Sequence, residues 1–394
     1  MIQNGILQRH LNKVDAIGGY TPTAIGPNEY GYAVQAGFCH SGEELFHRLA
    51  EQYWGIYCAS GTDKSPPPEV IGDFLAITHS DLTADVYAGC IPKRLKFRAK
   101  QFIPAGAPIS NSHLADVTEM RFVDIDVEST DSIVYCFRIG WRFGLYFDFR
   151  PTTGYVRDCD EELWPALGSG HRFLMFFDEY TAQSRASATG LSDDGWFPFL
   201  ELLGGEYRGL ADLYASPNAR RFVDEFIGRF NAERLQAVAQ RWWRNPLFQA
   251  KEEIFLAGID SFGLGTHRGA IACLKVLYSE IEGLIRIACS TDKNIAKPTF
   301  KDLERYVDEK GRQNFDTDSL AFPDAFYRYV KDHVFASFDL ATGDIPLSRH
   351  SSSHGVADAA TYTRAKALQA ILTLDQLSFY LRDAKPGGGV GPSP

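Results

Sequence analysis

The alternation of apolar and polar residues changes period part-way along the chain, and the early part is strand-like. In RLKFRAK (94–100), Arg94, Lys96, Arg98 and Lys100 fall on one face. In FVDIDVE (122–128), Val123, Ile125 and Val127 oppose Asp124, Asp126 and Glu128. From Ile133 to Phe149 every odd position is apolar. That run is too long for most single strands, so a turn near Gly140 or Gly144 is expected to divide it. Opposite charges on neighbouring strands pair favourably, so the polar faces read first as solvent-facing sides of one antiparallel sheet. Ser41 to Glu44 spells a capping box ahead of Leu45, Leu49 and Tyr53, which predicts an amphipathic helix ended by Gly55. TDKSPPPE (62–69) is a loop.

HRFLMFFDEY (171–180) fits strand or helix, and beyond Gly190 the period is helical. Ser216-Pro217 opens a helix carrying Phe222, Phe226 and Phe230, continuing to Trp242 and stopped at Asn245-Pro246. The tryptophans of RWWR (241–244) are expected to pack a helix end. Further helices are expected at 246–262, 266–289, 299–310, 323–338 and 345–383. The second carries Ile271, Leu274, Ile281, Ile285 and Ala288 on one stripe. The last should start with Asp344 as N-cap and Pro346 just inside, break at Gly355, and resume behind Asp358 as a new cap. The tail PGGGVGPSP should carry no structure. The fold class is therefore α+β. A mixed domain with an antiparallel sheet (1–185) precedes a helical connector (186–245), an all-α bundle (246–385) and a flexible tail (386–394).

With 394 residues the chain can bury sizeable cores. A net charge of −10 excludes a global basic field, so any surface for nucleic acid must be local. Seven cysteines, an odd number without a CxxC pair, fit a reducing compartment. The amino terminus lacks the apolar core of a signal peptide, and no run reaches the ~18 apolar residues of a membrane span. These points set the expectation of a cytoplasmic protein without a membrane partner.

The stretch richest in chemistry is Arg349-His350-Ser351-Ser352-Ser353-His354, followed by Gly355. Serine competes with helix by bonding its own backbone, so an irregular, partly open turn is expected. A guanidinium, two imidazoles and three hydroxyls there suit an anionic ligand such as a phosphodiester. Histidine is poised near neutral pH to take a 2′-hydroxyl proton, and a guanidinium can bind the charge that develops on phosphorus. No cofactor and no metal are required. A helix earlier, Glu282-Gly-Leu-Ile-Arg286 places an acid and a base four residues apart.

Residues 246–383 thereby resemble the HEPN superfamily of all-α domains, many of them RNases of toxin and antiphage systems. The marker is Arg, four to six residues, then His, with a polar residue after the Arg; here it is Arg349 to His354 with His350 in the polar slot. Glu-x-x-x-Lys/Arg on an earlier helix is matched by Glu282 and Arg286. The resemblance implies an endoribonuclease, cutting single-stranded RNA to a 2′,3′-cyclic phosphate, that acts as a homodimer in abortive infection. Residues five apart on an ideal helix differ by about 140° in direction, so one motif does not line a narrow face. Dimerisation would bring two motifs together, one His354 as base and the other as acid. His350, Ser351 and Ser353 would position phosphate, with Glu282 and Arg286 orienting Arg349. The first 185 residues would respond to an unknown trigger or partner. In toxins silenced by nucleotide transfer, a tyrosine stands four residues after the His; here that position is Asp358, which argues against that subtype.

A second Arg-x4-His, Arg328 to His333, has Tyr329 in the polar slot and an apolar-striped helix around it, so packing accounts for it. His350, His354 and Asp358 have zinc-compatible spacing only on a straight helix, which Gly355 disfavours. Two other function classes stay open: a non-catalytic HEPN protein that dimerises and binds a partner, and a metal-dependent nuclease using Asp124, Asp126 and Glu128.

Overall fold

The computed structural model describes residues 2–3, 6–12, 25–31, 36–50, 72–149, 156–216 and 220–382. The helix end at Gly55, the 62–69 loop, the helix start at Pro217 and the tail lie outside them. The chain forms two compact units: Met1–Arg98 with Val117–Phe177, and Ala99–Asp116 with Asp178–Pro394.

In the first unit, apart from Ala99 and Leu114–Asp116, the strands are β1 (Ile2–Gln3), β2 (Ile6–Leu11), β3 (Ala36–His40), β4 (Asp73–Thr78), β5 (Ala84–Gly89), β6 (Lys93–Ala99), β7 (Leu114–Phe122), β8 (Ser132–Ile139) and β9 (Arg142–Asp148). Seven form one sheet, in the order β1-β2-β5-β4-β8-β9-β3, and β6 pairs with β7 in a second. The pairings described in the large sheet are antiparallel. The long alternation of 133–149 is divided at Gly140, whose φ of +62° is the left-handed conformation glycine adopts without strain. Both sheet faces are covered. Phe74, Val86, Val134 and Phe147 pack on one side. On the other, Leu75, Ile133, Tyr135 and Phe137 meet Leu167 and Leu174 of α1 (Trp164–Met175). Residues 171–180 are therefore helical.

Two expectations for this region change. FVDIDVE is not a strand: β7 ends at Phe122, and Asp124 takes a φ of +59° that the ladder cannot accommodate. Its three acids do not converge, and among the described residues no group of three His, Cys, Asp or Glu side chains is arranged to hold a metal. On the basic strand Lys96 pairs with Glu119 of the neighbouring strand, as opposite charges across a ladder do. Lys100 lies beyond the strand and is buried, donating to the Leu203 carbonyl at 3.0 Å within the second unit. The cost of burial pushes its pKa down to about 8.

The second unit is helical: α2 (Phe177–Arg185, whose first residue still belongs to the first unit), α3 (Glu206–Tyr214), α4 (Arg220–Gly228), α5 (Ala232–Trp242), α6 (Glu252–Gly263), α7 (His267–Lys293), α8 (Phe300–Asn314), α9 (Pro323–Tyr329), α10 (Arg349–Ser353) and α11 (Arg364–Tyr380). The stretch expected as a connector, 186–245, belongs to this unit, because its polar groups are satisfied by α11: Leu200 N–H donates to Gln376 and Arg241 to Asp375. The Phe222–Trp242 helix is two helices, since Asn231 accepts from Arg234 N–H and caps α5. Trp242 is fully buried against Phe248 and Phe255, so this tryptophan packs a helix end. Asp344 bridges Asp339 instead of capping a helix, and Thr363, not Asp358, caps α11. Among the described residues no helix is long and apolar enough to cross a membrane.

Inside the first unit His171 stacks on Phe137 at 3.9 Å and donates its Nδ1 proton to the Leu167 carbonyl at 3.0 Å. Its Nε2 has no hydrogen-bond partner, so a second proton would be buried without an acceptor. Burial accordingly pushes its pKa down to about 3. An unfolded imidazole titrates near ~6.5, so the unfolded chain binds the proton first as pH falls. Stability from this site is complete above that pH and is lost toward about 3. The slope approaches ~1.4 kcal/mol per pH unit. His171→Phe keeps the stack and removes the titration, so urea midpoints measured from pH 6 to pH 4 should fall less steeply than in the parent. Equal slopes would refute this account.

Candidate active site

The Arg349–His354 segment folds as a short closed helix. Ser348 caps α10 by accepting from Ser351 N–H, while the Ser351 hydroxyl lies 3.0 Å from Ser348 N and 2.6 Å from the Pro346 carbonyl. At the other end Gly355, with φ +72°, closes a Schellman turn: Val356 N–H donates to the Ser351 carbonyl and Gly355 N–H to that of Ser352. The open serine turn expected from composition is therefore absent. Ser351 and Ser352 are buried. Ser352 is held by Lys275 of α7 at its carbonyl and by the Tyr362 hydroxyl at 3.1 Å. Ser351 has no path to a ligand, whereas Ser353 is exposed.

What α10 presents is Arg349, positioned by a buried acid. Glu282 projects from α7 with a side chain 7% exposed, and its Oε2 meets Arg349 Nε. Its Oε1 receives Arg286 Nη2 at 2.7 Å and Nε at 3.2 Å. Arg286 is pinned further by the Pro298 carbonyl. One carboxylate thus joins two guanidiniums, as the acid–base spacing on α7 allowed. The terminal Nη groups of Arg349 have no partner among the described residues, so one edge of the guanidinium stays available.

Phe300, at the start of α8, organises this cluster. Its ring lies 5.4 Å from Arg349 Cζ, 5.7 Å from Arg286 Cζ and 4.2 Å from the His350 ring. The ring face favours cations, and its bulk shields one side of the Glu282 ion pairs from water. Thr299 and Asp302 form the capping box that fixes Phe300 at the helix entry. The sequence predicts a helix at 299–310 but carries no signal that its first aromatic belongs to the site. Phe335 packs on Phe300 at 5.8 Å, and Phe338 lies 5.7 Å from the His354 ring.

The two histidines differ. His350 is half-buried, and its pKa is lowered first by burial and then by the neighbouring Arg349 charge, which favours the neutral ring. His354 is the C-cap of α10, with an exposed ring. Asp358 accepts from Ala360 N–H to start a separate turn, so His350, His354 and Asp358 share no straight helix and form no metal site. The second Arg-x4-His lies elsewhere: Arg328 is exposed and His333 is half-buried beside Tyr329 at 5.4 Å.

Arg349→Ala and Arg286→Ala each leave Glu282 one guanidinium partner and should cost ~1 kcal/mol apiece, because both arginines are partly solvated. The double variant strands a buried carboxylate and should cost ~3 kcal/mol or more. Urea denaturation of the four proteins measures the coupling, and strict additivity would show that Glu282 does not depend on the pair.

Comparison with family models, with curated proteins and with solved structures finds no match to this chain.

Proposed function

We propose that this protein is a cytoplasmic, metal-independent endoribonuclease of HEPN type, cutting single-stranded RNA as a homodimer in a toxin or antiphage role. The observation that carries the reading is the Glu282–Arg349 pair. A buried carboxylate fixes Nε, and the free Nη edge stands on the same short helix as an exposed imidazole. That edge suits two oxygens of a phosphodiester in bidentate contact. His354 takes the proton of the 2′-hydroxyl, the 2′-oxygen attacks phosphorus, and the bond to the 5′-oxygen breaks. Arg349 binds the extra negative charge of the phosphorane. An imidazolium, His354 of the second copy in the dimer, protonates the departing 5′-oxygen. His350 stays neutral and offers a hydrogen bond to phosphate; of the serines only Ser353 can join it.

Purified protein should cleave single-stranded RNA in EDTA to a 2′,3′-cyclic phosphate and a 5′-hydroxyl. His354→Ala and Arg349→Ala should each lower the rate by ~10²-fold or more. Arg328→Ala, on the second motif, should leave it within about twofold, as an exposed residue outside the site does. A strict need for a divalent ion would sink the mechanism. Dimerisation or partner binding by the parent without any cleavage would favour the non-catalytic reading.

A further inference from the structure

The second Arg-x4-His is not absorbed by this site, yet it borders a cavity of about 800 Å³ within the second unit. That volume lies in the range of small-molecule sites, which combine an apolar wall with a few polar groups. Trp196, Phe197, Phe322 and Tyr329 supply four aromatic residues to the wall. Each is less than a tenth exposed and locked by its neighbours, so the wall is preformed: Trp196 Nε1–H donates to the Tyr214 hydroxyl at 3.1 Å, and Phe197 packs on Tyr329 at 5.8 Å.

The charged groups of the cavity are unequal. Three aspartates, Asp193, Asp324 and Asp332, line it with one guanidinium, Arg328. Asp324 is matched by Arg312 at 2.7 Å. Asp193 and Asp332 are exposed and have no ion-pair partner among the described residues. His333 adds no cation, because burial and the nearby Lys366 charge hold its pKa down to about 4. Lys366 itself does not line the cavity and is anchored to the Asp194 carbonyl at 2.9 Å. Two carboxylates without ion-pair partners therefore line the cavity beside one guanidinium and an aromatic wall, a setting that favours positive charge.

We propose that this cavity is a binding site for a small organic cation with an aromatic body, such as an arylalkylamine. The ring packs on the Trp196–Tyr329 wall, and the ammonium sits toward Asp193 and Asp332. The inference is independent of the ribonuclease reading, because it concerns residues outside the Arg349 cluster and is tested by binding alone. Isothermal titration of the full chain with tryptamine, its neutral analogue tryptophol and the anion indole-3-propionate decides it. Tryptamine should bind at least tenfold more tightly than either analogue. Asp193→Asn and Asp332→Asn should each weaken it about fivefold, and Arg328→Gln should tighten it by removing a like charge. All three positions are exposed, and unchanged thermal midpoints confirm the folds. The proposal is overturned if no amine binding is measurable, if the anion binds best, or if the aspartate variants bind tryptamine like the parent.

Discussion

Burial of a polar helix is the constraint on which the second unit rests. α11 has no solvent face, since every residue from Ala367 to Tyr380 is buried, including Gln369, Thr373, Asp375, Gln376 and Ser378. Each polar group there must be satisfied internally, because an unpaired one costs more than a well-made hydrogen bond contributes. Asp375 takes Arg241 through both oxygens and the Trp242 indole N–H at 2.9 Å. Gln376 accepts from Leu200 N–H and donates to the Ala321 carbonyl; Thr373 pairs with the Tyr329 hydroxyl. These bonds reach residues from 194 to 329, so α11 specifies where the helices before it dock. Arg241 binds Glu201 as well, and its charge is held far above the usual range of titration by the two carboxylates despite burial.

The same logic recurs on a smaller scale at Glu282. A buried carboxylate on α7 is tolerable only with guanidinium partners, and one of those partners is Arg349 on α10. α10 is too short to be stable by itself and is held at both ends, by the Ser348–Ser351 box and by the Schellman turn at Gly355. Lys275 clamps its carbonyl end to α7. The guanidinium is thus preset before any ligand arrives, which is the condition for electrostatic stabilisation of a charge that develops later.

A wide turn joins this region to the cavity beside α9. Residues Val330–Val334 form one π-helical turn, with Phe335 N–H donating to the Val330 carbonyl at 2.8 Å. The extra residue in the turn shifts the phase of the side chains beyond it. His333 faces the cavity, while Phe335 packs on Phe300 and Phe338 lies against His354. The two polar regions therefore share one continuous segment of backbone.

The sequence by itself determined the class of structure and the chemical inventory. Alternation at 133–149 with a glycine at 140 or 144 specified the β8–β9 hairpin, and an apolar stripe specified α7, because those patterns are local. Arg349, His350, His354, Glu282 and Arg286 were legible as types at a spacing. Tertiary structure alone decided which of them meet and which turn inward. Ser351 and Ser352 look like available hydroxyls in sequence, yet capping and packing against α7 consume them. Asp124, Asp126 and Glu128 look like one polar strand face, yet the ladder ends at Phe122 and Asp124 itself turns left-handed. Phe300 carries no periodic signal of its role, because that role depends on Arg349 and His350 of α10, about fifty positions further along the chain. Asp375 in a run of apolar residues is the same case: only the arrival of Arg241 from 134 positions away makes its burial possible.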